Sequence, residues 1–179
     1  MNYGAELTRA MTWLGEKPDT VFIGQAVRYP GTAMYGTLSG VPLEKKIELP
    51  VMEDTQLGMS IGMALNGLVP ISIYPRWNFL LLATCQLVLH LDKLPLYSKY
   101  RPKVIIRTAV ASRTPLDPQP QHWGNFTDPF RQMLRTVAVI ECTGAHQLFS
   151  AYQIAYEAQG RSTLIIEHTC RRDARARAR

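Results

Sequence analysis

The sequence predicts an α/β fold, a three-layer α/β/α sandwich in which a mainly parallel sheet lies between two layers of helices. Two observations favour this class: segments typical of strands and of helices alternate along the chain, and the strand segments are short and almost wholly apolar. Strands buried on both faces have this composition, and parallel strands need long, usually helical, crossovers. Ligands of such sheets bind beyond the carboxyl ends of the strands, so the loops that follow strands are the candidate sites.

The first third of the chain contains one predicted helix and two predicted strands. Apolar residues share one face of a helix over 5–15. The apolar segment 20–24 predicts a strand, whereas 29–43 is rich in Gly, Pro and Tyr and predicts a loop. Residues 46–49 predict a second strand, which ends at a proline.

Small and apolar residues dominate the middle third. The segment 54–66 predicts a helix that stops at Gly67. A strand is expected over 69–74, where a proline again follows. The apolar segment 79–94 predicts one long helix, which another proline closes.

The last third begins with a predicted strand at 103–109 and a long loop at 110–125 that contains three prolines. Long loops beyond strand ends are usually functional or disordered. The remaining predicted elements are a short helix at 128–134, a strand at 136–142, a helix at 145–159 and a strand at 162–168.

Length and composition are those of one globular domain: 179 residues, 46% apolar and 19% charged. No apolar run reaches the ~18 residues of a membrane span. The start of the chain lacks a basic region and an apolar signal core, so we expect a cytoplasmic protein. Cys85, Cys142 and Cys170 are odd in number and widely spaced, which predicts reduced thiols rather than disulfides or a metal site.

Most of the net charge of +6 lies at the C-terminus, where 171–179 holds five arginines and one aspartate and so carries +4. We expect 1–168 to form the α/β domain and 169–179 to form a basic, disordered tail. Such a tail is either a solvated extension or a contact for nucleic acid or an anionic surface. The rest of the chain has no strong basic patch, which favours the solvated extension.

Two carboxylates, Glu53 and Asp54, stand where the predicted strand at 46–49 ends and the apolar helix at 54–66 begins. One interpretation is that they cap the helix and favour its positive end. The other is that one of them is desolvated against the apolar helix, as happens at many functional sites. The local pattern alone favours the cap, because acidic caps are common.

Five segments, taken in order, resemble the pyrimidine-binding domain of thiamine diphosphate-dependent enzymes. The likeness is strongest to the beta subunit of the 2-oxoacid dehydrogenase decarboxylase component, and transketolase is a more distant relative. It spans roughly 5–168 and depends on order and spacing rather than on one motif, and it implies the thiamine diphosphate-binding fold. The segments are 22–27, 49–53, 62–70, 77–79 and 121–122.

The resemblance assigns Glu53 a catalytic role. The matching glutamate of the family hydrogen-bonds N1′ of the cofactor's aminopyrimidine. A carboxyl group there favours the imino tautomer, whose N4′ removes the C2 proton of the thiazolium. Thiamine diphosphate then serves as the electron sink, and the protein supplies position and polarity.

Further residues are assigned to the cofactor. Phe79 matches the aromatic residue that stacks on the aminopyrimidine, and a core phenylalanine is an equally good interpretation. Trp77 and Leu82 are expected to share the pocket wall. Gln25 and Ala26 stand where the family often carries two acids, and Gln25 can hydrogen-bond but cannot exchange a proton.

His122 matches the histidine of the family's Gln-His-Ser segment, which is credited with orienting the substrate or acyl acceptor and with proton transfer. Its place between Pro120 and Gly124 argues against a core histidine and leaves a solvated loop histidine as the alternative. Trp123 replaces the family's serine, which puts a bulky group at the substrate mouth and leaves the substrate open.

The diphosphate half of the site has no counterpart in this sequence. The family binds the diphosphate through a metal, usually Mg²⁺, at a Gly-Asp-Gly segment that does not occur here. The resemblance therefore implies a diphosphate-binding, alpha-like partner subunit that holds most of the Mg²⁺ coordination, in a heterotetramer or higher oligomer. Met59 and Met63 either contribute to that interface or pack in the core.

Three functions follow, in order of preference. The first is a subunit, active only with its partner, that decarboxylates a small 2-oxo acid or transfers a two-carbon unit from a ketose. The second is a non-catalytic structural or regulatory paralogue, suggested by the missing acids at Gln25 and Ala26. The third, a nucleic-acid-binding protein that uses the arginine tail, is the least favoured.

Overall fold

A single sheet of six parallel strands forms the centre of the protein. The computed structural model describes residues 2–111 and 117–169, so most of the predicted tail and part of the predicted loop at 110–125 lie outside the described residues. The strand order is β2-β1-β3-β4-β6-β5, and every adjacent pair runs parallel. The strands are β1 (Thr20–Gly24), β2 (Lys46–Glu48), β3 (Val69–Ile73), β4 (Ile105–Val110), β5 (Ala138–Cys142) and β6 (Thr163–His168).

Helices cover both faces of the sheet, which confirms the predicted three-layer α/β/α sandwich. The helices are α1 (Tyr3–Gly15), α2 (Ala33–Gly36), α3 (Glu53–Leu65), α4 (Trp77–Leu80), α5 (Leu94–Tyr97), α6 (Thr127–Met133) and α7 (Ala145–Glu157). One core lies between the sheet and helices α1 and α7. The second lies under α3, α4 and α6. Burial of these apolar side chains is the main term that stabilises such a sandwich.

The long helix predicted over 79–94 is wrong. The chain instead forms α4, a 3₁₀ turn at Leu81–Ala83, a π-helical segment at Gln86–Leu91 and then α5. The spacing of the buried residues explains why the helix changes type. They recur every three residues up to the 3₁₀ turn and every four residues through the π-helical segment, close to the residues per turn of each helix type. They are Trp77, Leu80, Ala83, Leu87 and Leu91.

Within the described residues, no single helix is long and apolar enough to cross a membrane. One pair, Trp77–Ala83 with Gln86–Tyr97, meets the length and composition criteria together, but it is bent by 61°. Five buried residues of this pair pack into the second core of the sheet, and four of them are leucine or tryptophan. The inner face of the pair is therefore part of the protein core.

A buried ion pair ties the first core together. Arg107 on β4 donates from Nε to Oε1 of Glu167 on β6 over 2.9 Å, and both side chains are 2% exposed. The hydroxyl of Tyr152 on α7 donates to the same carboxylate oxygen, and Tyr3 on α1 donates to the other. Burial alone would lower the pKa of the Arg107 guanidinium, but the Glu167 carboxylate beside it raises that pKa. The cluster therefore joins the sheet to both helices of one layer.

Asp92 explains why strand β5 begins two residues later than the predicted start at Thr136. Its buried Oδ1 accepts the backbone N–H groups of Arg135, Thr136 and Val137 over 2.7–3.0 Å. Those N–H groups are thereby withdrawn from the sheet ladder. Burial would raise the pKa of Asp92, but the hydrogen bonds from Lys93 and these three amides lower it overall.

We expect Asp92→Ala to destabilise the protein by roughly 3 kcal/mol at neutral pH, because it leaves the three amides without their charged acceptor. A carboxyl group whose folded pKa is depressed stabilises the fold above its unfolded pKa, and that stability is lost as pH falls through the folded pKa. Urea unfolding at several pH values measures this: the difference between Asp92→Ala and the parent should shrink in acid. Asp54→Ala, at an exposed carboxylate in the first turn of α3, is the control and should cost no more than about 1 kcal/mol.

Candidate functional site

The carboxyl ends of the first four strands bring together the loops that carry the predicted site residues. Because the strands are parallel, these ends share one edge of the sheet. Gln25 follows β1, Glu53 follows β2, Phe79 follows β3 and His122 follows β4. The structure thus places the four residues at one edge, although no hydrogen bond joins Glu53 to the other three within the described part of the chain.

Glu53 is the first residue of α3, and it does not cap that helix. The capping position is held by Met52, and no side chain makes a capping hydrogen bond, so the prediction that Glu53 or Asp54 caps the helix is wrong. Both carboxylates do lie in the first turn of α3, where they face the positive end of the helix dipole. Glu53 is 5% exposed, and its Oε1 is buried without a hydrogen-bond partner among the described residues. Asp54 is exposed and accepts a hydrogen bond from Gln86. The two neighbouring carboxylates therefore differ completely in their surroundings.

The backbone around Glu53 is held from two sides. The hydroxyl of Tyr74 donates to the carbonyl oxygen of Glu53 over 3.2 Å. One turn further along α3, the buried amide of Gln56 donates to Oγ of Ser72 and to the carbonyl of Ile73 over 3.2 and 3.0 Å. These contacts fix the start of α3 against β3, so the Glu53 side chain projects from a rigid support.

Gly24 allows this close approach between the strand end and α3. Its φ is +153°, a conformation that side chains rarely adopt. A Cβ at this position would also lie 2.5 Å from the carbonyl oxygen of Ile73 and 3.3 Å from Nε2 of Gln56. Glycine is therefore required where β1 passes into the loop that carries Gln25.

The loop after β1 is held by a carboxylate that the sequence analysis did not single out. Glu48, at the end of β2, accepts the backbone N–H groups of Ala26, Val27 and Arg28 over 2.7–2.8 Å. Ala26 has φ +57°, an unfavourable left-handed conformation that these bonds stabilise. Gln25 precedes this segment, and its buried Nε2 has no hydrogen-bond partner among the described residues. Glu48 thus fixes the segment from which Gln25 projects.

We expect Glu48→Ala to speed amide hydrogen exchange at Ala26, Val27 and Arg28 by ten-fold or more, since each lost hydrogen bond to a charged acceptor contributes about 1.5–3 kcal/mol. Hydrogen exchange followed by NMR resolves the three amides individually. Glu44→Ala is a matched control, because Glu44 is exposed and precedes the same strand. Equal exchange in the two variants would show that Glu48 does not hold the loop.

Phe79 and His122 are in contact. Their ring centroids are 5.7 Å apart and the rings are tilted by 38°. Nδ1 of His122 lies 2.8 Å from Oδ1 of Asn78, the residue before Phe79. Both Phe79 and His122 are half-buried, so neither is an ordinary core residue nor a freely solvated one. The structure thus brings two of the predicted site residues together.

Trp77 and Leu82 lie in different surroundings. Trp77 is 1% exposed and packs against Phe126 and Phe130, with ring centroids 6.2 and 5.0 Å away. Leu82 lies in the 3₁₀ turn after α4 and is 61% exposed. Trp77 therefore lies in the second core beneath α4, and Leu82 lies at the surface.

Some buried polar atoms have no hydrogen-bond partner among the described residues. Within the described residues there are four: Nε2 of Gln25, Oε1 of Glu53, Nε1 of Trp77 and Oγ1 of Thr108. Such atoms are rare because each costs about 1–3 kcal/mol. Three of the four belong to residues that the sequence analysis assigned to the cofactor. An acceptor, on Glu53, and a donor, on Gln25, are thus held near one strand edge without partners among the described residues.

The sequence alone does not indicate the contacts of Glu48, Gln56 and Asn78. Asn78 lies within the quoted segment 77–79, but nothing in the sequence indicates which side chain it contacts. Glu48 follows an alternation of charged and apolar residues in 46–49, which is the one local signal for an edge strand with a polar face. The described residues contain no group of three or more His, Cys, Asp or Glu side chains that could hold a metal ion.

The parallel sheet and the two helical layers define an α/β domain that is covered by helices on both faces. Its fold is that of transketolase chains. It is similar to a split-gene transketolase, solved as an inactive β4 tetramer, with a TM-score of 0.62 and 15% identity over 94% of this chain. It is also similar to transketolase from Campylobacter jejuni, with a TM-score of 0.73 and 13% identity over 93% of this chain.

The protein spans about half of the first of these chains (51%) and a quarter of the second (25%). No family model and no curated protein matches its sequence. The likeness therefore establishes a transketolase-like fold, and a fold alone does not define the chemistry of a site.

Proposed function

We propose that this chain is the pyrimidine-binding part of a thiamine diphosphate enzyme, in which Glu53 interacts with N1′ of the cofactor's aminopyrimidine. The observation that carries the proposal is the Glu53 carboxylate, which is buried at the start of α3 and has one oxygen without a partner in the part of the chain that the structure describes. The transketolase-like fold supports it, because the same strand edge faces the ligand in folds of this kind.

The residues present fit an aminopyrimidine. This ring offers nitrogen atoms and an amino group at its edge and an apolar surface on its faces. Oε1 of Glu53 is an acceptor or, when protonated, a donor, and Nε2 of Gln25 is a donor. The half-buried ring of Phe79 provides an apolar surface at the same edge of the sheet. A flat ligand with a polar edge would satisfy groups that the described residues leave unpartnered.

Thiamine diphosphate, when bound, supplies an electron sink for carbanion chemistry at a carbonyl carbon. The chain's own contribution is to position and polarise. Glu53 shares a proton at Oε1 in a site from which water is largely excluded. The Phe79 ring stacks on the aminopyrimidine and so orients it. His122 lies beside Phe79 and serves as the proton-transfer group. Gln25 can only hydrogen-bond, so it does not take a second proton.

A partner chain is part of this proposal. The sequence lacks the segment that would bind a diphosphate through Mg²⁺, so we assign that role and most of the metal coordination to a diphosphate-binding, alpha-like subunit. Apolar side chains near the start and along α3 remain exposed, as at subunit interfaces: Val51 is 77%, Met59 38% and Leu65 42% exposed. The split-gene neighbour, an assembly of beta chains only, is described as inactive.

Decarboxylation of a small 2-oxo acid and transfer of a two-carbon unit from a ketose both suit this site. Calorimetric titration with thiamine diphosphate and Mg²⁺, using this chain together with its diphosphate-binding partner, tests the proposal. We expect binding by the complex that is far tighter than binding by either chain alone. Equal, weak binding in all three samples would refute it.

A non-catalytic paralogue that pairs with a diphosphate-binding subunit is the second candidate. It is favoured by Gln25 and Ala26, which replace two acids of the family that the sequence resembles. The two candidates differ in turnover: a complex that binds the cofactor but releases no product from any 2-oxo acid or ketose supports the second. Turnover that is lost in His122→Ala supports the first.

A further inference from the structure

The His122 ring contacts the side chain of Asn78, which belongs to helix α4. Its Nδ1 lies 2.8 Å from Oδ1 of Asn78, at the start of α4. An amide oxygen only accepts hydrogen bonds, so Nδ1 carries the hydrogen atom. In the neutral ring the lone pair then belongs to Nε2. We propose that Asn78 is a positioning residue, which fixes the Nδ1–H tautomer of His122 and so makes Nε2 the nitrogen that exchanges protons.

The backbone of His122 is held independently of Asn78. The turn Pro120–His122 closes through a hydrogen bond from the N–H of His122 to the carbonyl of Gln119, over 2.9 Å. Asp117 accepts from the backbone N–H of Gln119 and from Nε1 of Trp123, each over 2.9 Å. The contact with Asn78 therefore determines the orientation and tautomer of the ring rather than the path of the loop.

Helix α4, which carries Asn78, also fixes the Phe79 ring that His122 faces. Asn78 and Phe79 are consecutive, and the Phe79 ring lies 5.7 Å from the imidazole. The N–H of Phe79 donates to the carbonyl of Arg76, which anchors this first turn. One backbone segment thus fixes both the aromatic face and the direction of Nε2. The catalytic meaning of this arrangement rests on the proposed function, whereas the tautomer itself does not.

Long-range ¹H–¹⁵N NMR on the chain with ¹⁵N-labelled histidine rings measures the tautomer directly at about pH 8, where most imidazoles are neutral. His122→Gln assigns the His122 signals among the four histidines. We expect Nδ1 to be protonated and Nε2 unprotonated in the parent. Asn78→Ala should lose this single-tautomer pattern, and Asn78→Asp should keep it because carboxylate oxygens also only accept.

Asn66→Ala is the control, since Asn66 is exposed and bonds only within α3 and its end. A protonated Nε2 in the parent would overturn the proposal, even if Asn78→Ala failed to fold. An unchanged pattern in folded Asn78→Ala would overturn it as well. No cofactor enters the measurement, so a failure to bind thiamine diphosphate would remove the proposed function and leave this result intact.

Discussion

Replacing Glu53 with glutamine is expected to slow proton exchange at C2 of bound thiamine diphosphate by roughly 10²–10⁴-fold, the usual contribution of a positioned acid–base group. The experiment uses the complex of this chain with its diphosphate-binding partner, and NMR after rapid quenching measures deuterium exchange at C2. Glutamine keeps the size and hydrogen-bonding capacity of the side chain but cannot share a proton. The proton-sharing role is therefore isolated from shape.

Asp54→Asn is the matched control for this experiment. It removes the charge of the next residue in the same helical turn, but Asp54 is exposed and bonds only to Gln86. We expect its exchange rate to equal that of the parent. If Glu53→Gln exchanged as fast as Asp54→Asn, Glu53 would not be the activating acid.

Glu53→Gln is expected to lose activity without losing free energy of unfolding relative to the parent. Burying a charged carboxylate that lacks a partner costs more than burying a neutral amide of the same shape, whereas an acid in the first helical turn gains only about 0.3–1 kcal/mol from the helix dipole. Glutamine is therefore expected to be at least as stable as glutamate at this position. Residues kept for function at the expense of stability behave in this way.

Arg107→Met is expected to lose about 3–5 kcal/mol of unfolding free energy, because it leaves the Glu167 carboxylate charged and buried without its partner. This is a large share of the 5–15 kcal/mol by which domains are stable. Chemical denaturation measures the loss. Adding Glu167→Gln to Arg107→Met should recover part of it, since the remaining buried group is then neutral and still accepts from Tyr152. An unfolding free energy of Arg107→Met within about 0.5 kcal/mol of the parent value would contradict this.

The elements that the sequence predicted well are those fixed by local burial. Strand β1 matches its predicted bounds at Thr20–Gly24, because all five residues are buried and glycine ends the run. The prediction of one helix over 79–94 was wrong, because a long apolar run does not indicate where an α-helix changes to a 3₁₀ or a π-helical turn. That is decided by which residues reach the core, from Trp77 to Leu91. The start of β5 failed because a distant carboxylate, Asp92, takes its first N–H groups.

The candidate site divides in the same way. Glu53 was identifiable from its place between a strand end and an apolar helix, together with the order of the other segments. Asn78 and Glu48 were not identifiable, because their roles depend on contacts that are distant in sequence. Asn78 contacts a residue 44 positions away, and Glu48 contacts residues about 20 positions away. Side-chain contacts across a parallel sheet are long-range by construction, since each crossover inserts a helix between neighbouring strands.

The claim that Glu53 binds N1′ of the aminopyrimidine is tested most directly by the ¹⁵N chemical shift of N1′. Thiamine diphosphate labelled at N1′ is bound to the complex of this chain and its partner, with Mg²⁺ present, and compared with the same complex carrying Glu53→Gln. We expect the wild-type complex to show the shift of a nitrogen that is protonated or shares a proton, and the variant to show the shift of an ordinary pyrimidine nitrogen. Identical shifts in the two complexes, with the cofactor bound in both, would contradict the assignment of Glu53.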